Sequence, residues 1–191
     1  MRTLRFTADC GCTLYELLRL REGFSVTVIR RLKRIPGSVL VNSTPAKMPD
    51  RLKPGDEVLI LLPEEKCTAV VNRGLFAKIA YEDEDIIVFD KPCNMPVHPS
   101  ARHRNDTLAN FYAAYCEQNA AWSAFRPINR LDRNTTGLCA AAKNTHAAFS
   151  LSKTLKKEYT AICAGVLEND CGTINAPIAR EGDSIIKRTV R

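Results

Sequence analysis

The chain has 191 residues, with 28 lysines and arginines against 21 aspartates and glutamates and a formal net charge of +7. Hydrophobic residues make up 45% and charged residues 26%, a globular balance that excludes a disordered chain and fits one domain, or a small one beside a medium one. No apolar run approaches the roughly 18–20 residues of a membrane helix, and the basic start Met1-Arg2-Thr3-Leu4-Arg5 has no apolar stretch behind it, so no secretory signal is expected and the cytoplasm is the expected compartment.

Alternation in Thr3-Leu4-Arg5-Phe6-Thr7 predicts a strand. Thr13, followed by Glu16, predicts a capped helix from Leu14 to Leu20 that Gly23 stops. Ser25 caps a second helix through Val26, Ile29 and Leu32, with Arg30, Arg31, Lys33 and Arg34 on its exposed side and C-terminal end, before Pro36-Gly37 breaks it. Val39-Leu40-Val41-Asn42 and the run from Glu57 to Leu62 read as short strands, the second entered through the turn Lys53-Pro54-Gly55-Asp56. Pro63-Glu64-Glu65-Lys66 reads as a linker, so residues 1–65 form a small α+β unit with a basic second helix.

Residues 66–191 form a second, strand-dominated unit. Ile86-Ile87-Val88-Phe89 follows the acidic turn Glu82-Asp83-Glu84-Asp85 and leads into Asp90-Lys91-Pro92. Asn105 or Asp106 caps a helix through Leu108, Phe111, Tyr112 and Tyr115 that ends near Trp122. A loop with Pro127 carries the string from Asn129 to Gly137, and Leu138 to Ala142 reads as a buried strand. Thr145 caps a helix to about Leu155, and Glu158 to Ala164 reads as another strand. The fold class expected is α+β.

Basic residues cluster twice. Six fall between Arg19 and Arg34 against one acid, and seven between Arg126 and Thr160 against two. One cluster alone also fits a solvated helix face; two favour a nucleic-acid partner, through counterion release at phosphates. The eight cysteines are scattered, form no C-x-x-C pair, and are accompanied by three dispersed histidines. Neither a metal centre nor a disulfide framework is expected, and most of the cysteines read as small core residues.

Asp132 stands out on chemical grounds. A carboxylate between Arg130 and Arg133, on a loop opening into an apolar strand, can serve as nucleophile or base while the guanidinium groups handle phosphate. An Asp within the tripeptide Arg130-Leu131-Asp132 alone also fits an ordinary turn or cap residue. A glycosidase-like hydrolase is disfavoured, because no second carboxylate stands at a paired position.

Longer strings sharpen the reading. Val26 to Arg34, Val39-Leu40-Val41-Asn42 and Leu52-Lys53-Pro54-Gly55-Asp56-Glu57-Val58 resemble the S-four-type RNA-binding module. Arg130-Leu131-Asp132-Arg133-Asn134-Thr135-Thr136-Gly137-Leu138 is similar to the "H-R-L-D-x-x-T-S-G-L" motif of the RluA/RluD-type pseudouridine synthases. Two further blocks fall in that family's order: Tyr81 to Pro92 with Val97-His98-Pro99-Ser100, and Lys157-Glu158-Tyr159-Thr160-Ala161 with Gly165.

The resemblance implies a mainly antiparallel, mixed-sheet catalytic domain behind the small module. It implies isomerisation of uridine to pseudouridine in ribosomal or transfer RNA, with no metal or organic cofactor. It makes Asp132 the catalytic aspartate, by attack at C1′ or abstraction of the C2′ proton, and Tyr159 the ring that packs on the flipped base. Read as a strand-core residue, Tyr159 would have no such role. Arg130 is implied to contact backbone or fill the space the base vacates, and Arg133 to bind RNA. Lys91 is expected either to contact phosphate or to lie along a strand edge, and His98 to be structural. Asn129 stands where the family often has His, Thr136 where it has Ser, and Asn94 where it has Gly. A later family block, roughly "L-x-T-G-R-x-H-Q-I-R", does not occur in this sequence. Its absence implies an incomplete catalytic domain in which Asp132 lacks its arginine partner, and keeps a non-catalytic RNA-binding protein, or an inactive fragment retaining the synthase shape, as the alternative.

Overall fold

The computed structural model describes residues 2–63, 65–121, 123–166, 168–182 and 188–190, which fall into two compact units, residues 1–156 and 157–191. The fold is α+β, and every strand pair in it is antiparallel.

The chain opens with β1 (Arg2–Thr7) and the short β2 (Cys12–Thr13). Thr13 caps α1 (Leu14–Glu16): its hydroxyl accepts from Glu16 N at 3.2 Å, and the Glu16 carboxylate accepts from Thr13 N at 2.7 Å. That reciprocal pair satisfies amides the first turn would otherwise leave open. The expected α-helix to Leu20 is replaced by a π-helical turn, Leu17–Arg21, with Glu22 N bonded to Leu17 O at 3.0 Å. The wider turn buries Leu14, Leu17 and Leu18 together and leaves Leu20 outside. Gly23 ends it at φ +69°, where an L side chain costs roughly 1–2 kcal/mol.

Ser25 then caps α2 (Val26–Leu32) through Val28 N at 3.2 Å. The strands β3 (Val39–Val41) and β4 (Thr44–Pro45) are joined by Asn42 and Ser43, both at positive φ, the two-residue turn whose twist suits a hairpin. After β5 (Arg51–Leu52), which pairs with β2, the turn Lys53–Asp56 leads into β6 (Glu57–Leu62). The sheet order is β1-β6-β3-β4. Val58, Ile60 and Leu62 alternate inward on β6 and join Phe24, Ile29 and Leu32 in one core. Each such side chain contributes roughly 1.5–3 kcal/mol on full burial.

A second core lies farther along the same unit. β7 (Lys78–Glu82), β8 (Ile86–Lys91), β9 (Arg126–Pro127) and β10 (Gly137–Ala142) form a sheet in the order β7-β8-β10-β9, with α3 (Leu108–Gln118) packed against it. Leu108, Tyr112 and Cys116, at the i, i+4 spacing of one helix face, cluster with Ile87 and Phe89 of β8 and with Cys139 and Ala141 of β10. The α3 cap is Thr107, paired reciprocally with Asn110, one or two residues beyond the expected position. Asp106 is unavailable as a cap because its carboxylate is held by His103. The helix stops at Gln118; the expected end at Trp122 lies outside the described residues. α4 (Thr145–Thr154) is capped by Asn144, whose Oδ1 accepts from Ala147 N at 2.9 Å, so Thr145 becomes its first residue.

The two cores are joined by specific contacts. Arg2 donates to both oxygens of Asp85, each at 3.1 Å. The Glu65 carboxylate pairs with Arg31 of α2 and with Arg126 of β9. His146 of α4 stacks on Phe24 at 4.2 Å between ring centroids.

In the second unit, β11 (Ile178–Arg180) pairs with β12 (Arg188–Val190). The expected strand from Glu158 to Ala164 does not form; that segment is irregular and exposed. A strand pattern becomes a strand only where a neighbour completes the ladder, and no described strand pairs with it. The cysteine expectation is also corrected: only Cys116 and Cys139 of the eight are buried, while Cys93, Cys163 and Cys171 are exposed. Among the described residues no helix is long and apolar enough to cross a membrane.

Candidate active site

The string from Asn129 to Thr136 forms a loop between β9 and β10, and its roots are pinned from two sides. Asn129 is buried. Its Nδ2 donates to Leu138 O at 2.9 Å, and its Oδ1 accepts from Ala140 N at 2.8 Å. The side chain thus does for β10 what a strand backbone would do, using both halves of its amide. Leu131 is buried as well. Thr135 N donates to Asp132 O at 3.1 Å, closing a turn over Asp132, Arg133 and Asn134, all three exposed.

Lys91 pins the other side. It stands at the end of β8 opposite Gly137, with no solvent exposure. Its ammonium donates to Pro92 O at 2.9 Å, Met95 O at 2.8 Å and Arg133 O at 3.1 Å. An ammonium has three donors, so none remains for a phosphate, and the expectation that Lys91 touches RNA gives way to an internal role. Three carbonyl dipoles converge on the charge and offset part of its desolvation cost. Burial still pulls its pKa below the usual lysine value, while Cys93, Cys139 and Asp132 act in the opposite sense. The adjoining turn needs a left-handed residue, and Asn94 supplies it at φ 62°, a conformation Asn tolerates. Cys93 adds a contact from its thiol to Asn134 O at 3.4 Å.

Two histidines flank the loop. The His98 ring lies edge-on to Phe125 at 5.4 Å, and burial followed by the nearby Arg130 charge lowers its pKa. His103 Nδ1 is 2.6 Å from Asp106 Oδ2. That hydrogen bond, with a smaller contribution from Arg133, holds the Asp106 carboxyl below its usual pKa.

The result is a carboxylate and two guanidinium groups, from Asp132, Arg130 and Arg133, displayed on an exposed but anchored loop. Among the described residues their side chains make no hydrogen bond or ion pair with one another or with neighbours. An open carboxylate set between cations can approach an electrophilic carbon or an acidic C–H of a bound anion. Among the described residues no group of three or more His, Cys, Asp or Glu side chains is placed to hold a metal.

The remaining sequence-derived residues are distributed elsewhere. Arg30, Lys33 and Arg34 are exposed around the end of α2, whereas Arg31 is engaged by Glu65. Tyr159 belongs to the second unit and is exposed there. Sequence reasoning missed Asn129 as an anchor; the only signal was its departure from the histidine of the resembling motif. A cleft of about 450 Å³ adjoins the joint between the two cores rather than this loop. Its charged lining is paired internally, Arg2 with Glu84, Arg126 with Glu65 and Lys143 with Glu82.

The family model described as RNA pseudouridylate synthase matches residues 85–191. An uncharacterised RNA pseudouridine synthase of Bacillus subtilis, YlyB, is 37% identical over 153 residues, covering 76% of this chain and 50% of that protein. An uncharacterised RNA pseudouridine synthase of Aquifex aeolicus is 34% identical over 173 residues, 86% of this chain and 54% of its own length. The ribosomal large subunit pseudouridine synthase D of Neisseria meningitidis serogroup B is 32% identical over 160 residues, 81% of this chain and 42% of its own. The chain spans about half the length of the curated relatives it matches. With more than half of its residues inside the family match, Asp132 and its anchors among them, the chain belongs to the RNA pseudouridylate synthase family.

Proposed function

We propose that this protein isomerises uridine to pseudouridine in structured RNA, ribosomal or transfer, with Asp132 as the catalytic carboxylate and no cofactor. The observation that carries the reading is the presentation of Asp132: exposed at the tip of a turn whose roots are fixed by Lys91 and Asn129. Catalysis at a single carboxylate depends on holding it in place before the substrate arrives. Lys91 and Asn129 supply that hold through backbone atoms and leave the carboxylate open.

On this reading Asp132 acts at the target ribose or base while the N1–C1′ bond breaks and the base rejoins through C5. A base inside structured RNA has to leave its stack for this chemistry. Arg130, beside Asp132, then meets backbone or occupies the vacated space. Arg133 binds phosphate and Tyr159 packs on the flipped base. Residues 1–65 act as an S-four-type RNA-binding module, with Arg30, Lys33 and Arg34 as its open cations and Arg31 available once it leaves Glu65.

The absence of an ion-pair partner for Asp132 among the described residues favours a second reading, a protein that binds RNA without turnover. Tritium release from RNA labelled at uridine C5, prepared from cells lacking the gene, separates the two. Release that disappears in Asp132→Ala supports the synthase. Salt-sensitive binding without release supports the second reading and refutes the first.

A further inference from the structure

A second loop, Ser100 to Asp106, stands beside the Asp132 loop and is as firmly anchored. Ser100 N donates to His103 O at 2.9 Å and His103 N to Ser100 O at 3.1 Å, closing a tight turn. His103 is tied to Asp106 at 2.6 Å. Asn110 Nδ2 donates to Arg104 O at 3.2 Å, and Asn72 Nδ2 to Asn105 O at 2.7 Å. The link to the Asp132 loop runs through short contacts. Leu108 N and Ala109 N bond to Pro96 O and Val97 O, and Lys91 draws the preceding turn onto Arg133. The Arg133 charge is felt at Asp106.

The backbone of this loop is fixed, yet two of its side chains are not used by the fold. Arg102 and Arg104 are exposed and make no side-chain hydrogen bond or ion pair among the described residues. They extend the cationic set of Arg130 and Arg133, while the loop's one carboxylate, Asp106, is occupied by His103. Guanidinium groups on a pre-ordered turn bind a polyanion without the entropy cost of ordering the loop.

We propose that the Ser100–Asp106 loop, through Arg102 and Arg104, is a phosphate-binding rim of the candidate active site that grips the RNA backbone beside the target nucleotide. This rests on the RNA reading above. The rim sets where the strand lies relative to Asp132 and contributes affinity that does not depend on base identity.

The test is RNA binding across a salt series by the full chain in the Asp132→Ala background, with unmodified ribosomal RNA transcript as the probe. Each lost phosphate contact lowers the magnitude of the slope of log K against log salt by about 0.7–0.9, so Arg102→Ala/Arg104→Ala lowers it by about 1.4–1.8. A charge-matched control, Arg73→Ala/Lys78→Ala, keeps the parent slope. Thermal melts of both variants match the parent if folding is intact. A parent slope in the Arg102/Arg104 variant, or an equal loss in the control, overturns the rim and leaves the RNA reading standing. Salt-insensitive or undetectable binding by the parent overturns both.

Discussion

Replacing Asn129 by Asp leaves the side chain's shape intact and changes one of its two hydrogen-bonding partners in kind. Oδ1 keeps its bond from Ala140 N at 2.8 Å, but the atom that donated to Leu138 O at 2.9 Å becomes a carboxylate oxygen facing a carbonyl oxygen. The lost bond costs about 1 kcal/mol. The uncompensated charge at this buried position brings the total to about 3–5 kcal/mol at neutral pH. At about 2–4 °C per kcal/mol for a domain of this size, Tm falls by roughly 6–20 °C. The sign of the pH dependence follows from burial. The introduced carboxyl has a folded-state pKa above its unfolded value of about 3.9. The deficit is therefore smallest below that value, where a protonated Asp donates to Leu138 O. It grows as pH rises toward the folded pKa and levels off above it. Asn129→Ala, which loses both bonds, costs about 2–3 kcal/mol at every pH. Urea unfolding at a series of pH values, followed by the fluorescence of the single tryptophan, reads both variants. A deficit in Asn129→Asp that does not change with pH would refute the clamp.

Lys91→Met keeps an unbranched side chain one atom shorter and leaves Pro92 O, Met95 O and Arg133 O without their donor. A loss of about 3 kcal/mol is expected in a thermal melt, and a variant as stable as the parent would show that desolvation of the ammonium cancels its bonds. His146 carries a buried Nδ1 with no hydrogen-bond partner among the described residues, and burial lowers its pKa against a smaller opposing pull from Asp85. Its folded pKa lies below the unfolded value of about 6.5, so its contribution to stability is present above that pH and is lost as pH falls toward the folded pKa. His146→Phe removes up to about 1.4 kcal/mol per pH unit from the acid limb of a stability–pH curve. An unchanged limb would remove His146 from the account.

Features set by near neighbours in sequence were legible before the structure. The Thr13–Glu16 capping box, the Ser25 cap and the Lys53–Asp56 turn each depend on residues within four positions of one another. The π-helical turn was not legible, because the core that rewards its wider spacing comes from Phe24, Ile29 and Ile60 as well. Strands of two residues such as β2 and β5 carry no period to read. At the site, the motif around Asp132 marked the loop, but neither anchor could be read as one. Lys91 beside a strand end resembles a surface lysine until the turn carbonyls of Pro92 and Met95 and the distant carbonyl of Arg133 are seen converging on it. Asn129 resembles a loop residue until β10 is seen folding back to meet it. The segment around Tyr159 failed in the opposite way, since its pattern is strand-like and no described strand completes it.

Because Glu65 takes one guanidinium from α2 and another from β9, the connection between the two cores of the first unit works as a strut rather than a tether. A flexible tether lets a second binding surface search a volume, and its effective concentration falls as the tether lengthens. A strut removes that search. On the proposed RNA reading, the open cations of α2 and those around Asp132 stand at a set separation, so that an RNA whose curvature spans it would engage both in one event. An RNA of the wrong curvature reaches only one. Discrimination then begins with the shape of the phosphate backbone, before any base edge is contacted. Weakening the strut would broaden the range of RNAs bound while lowering avidity for the matching ones.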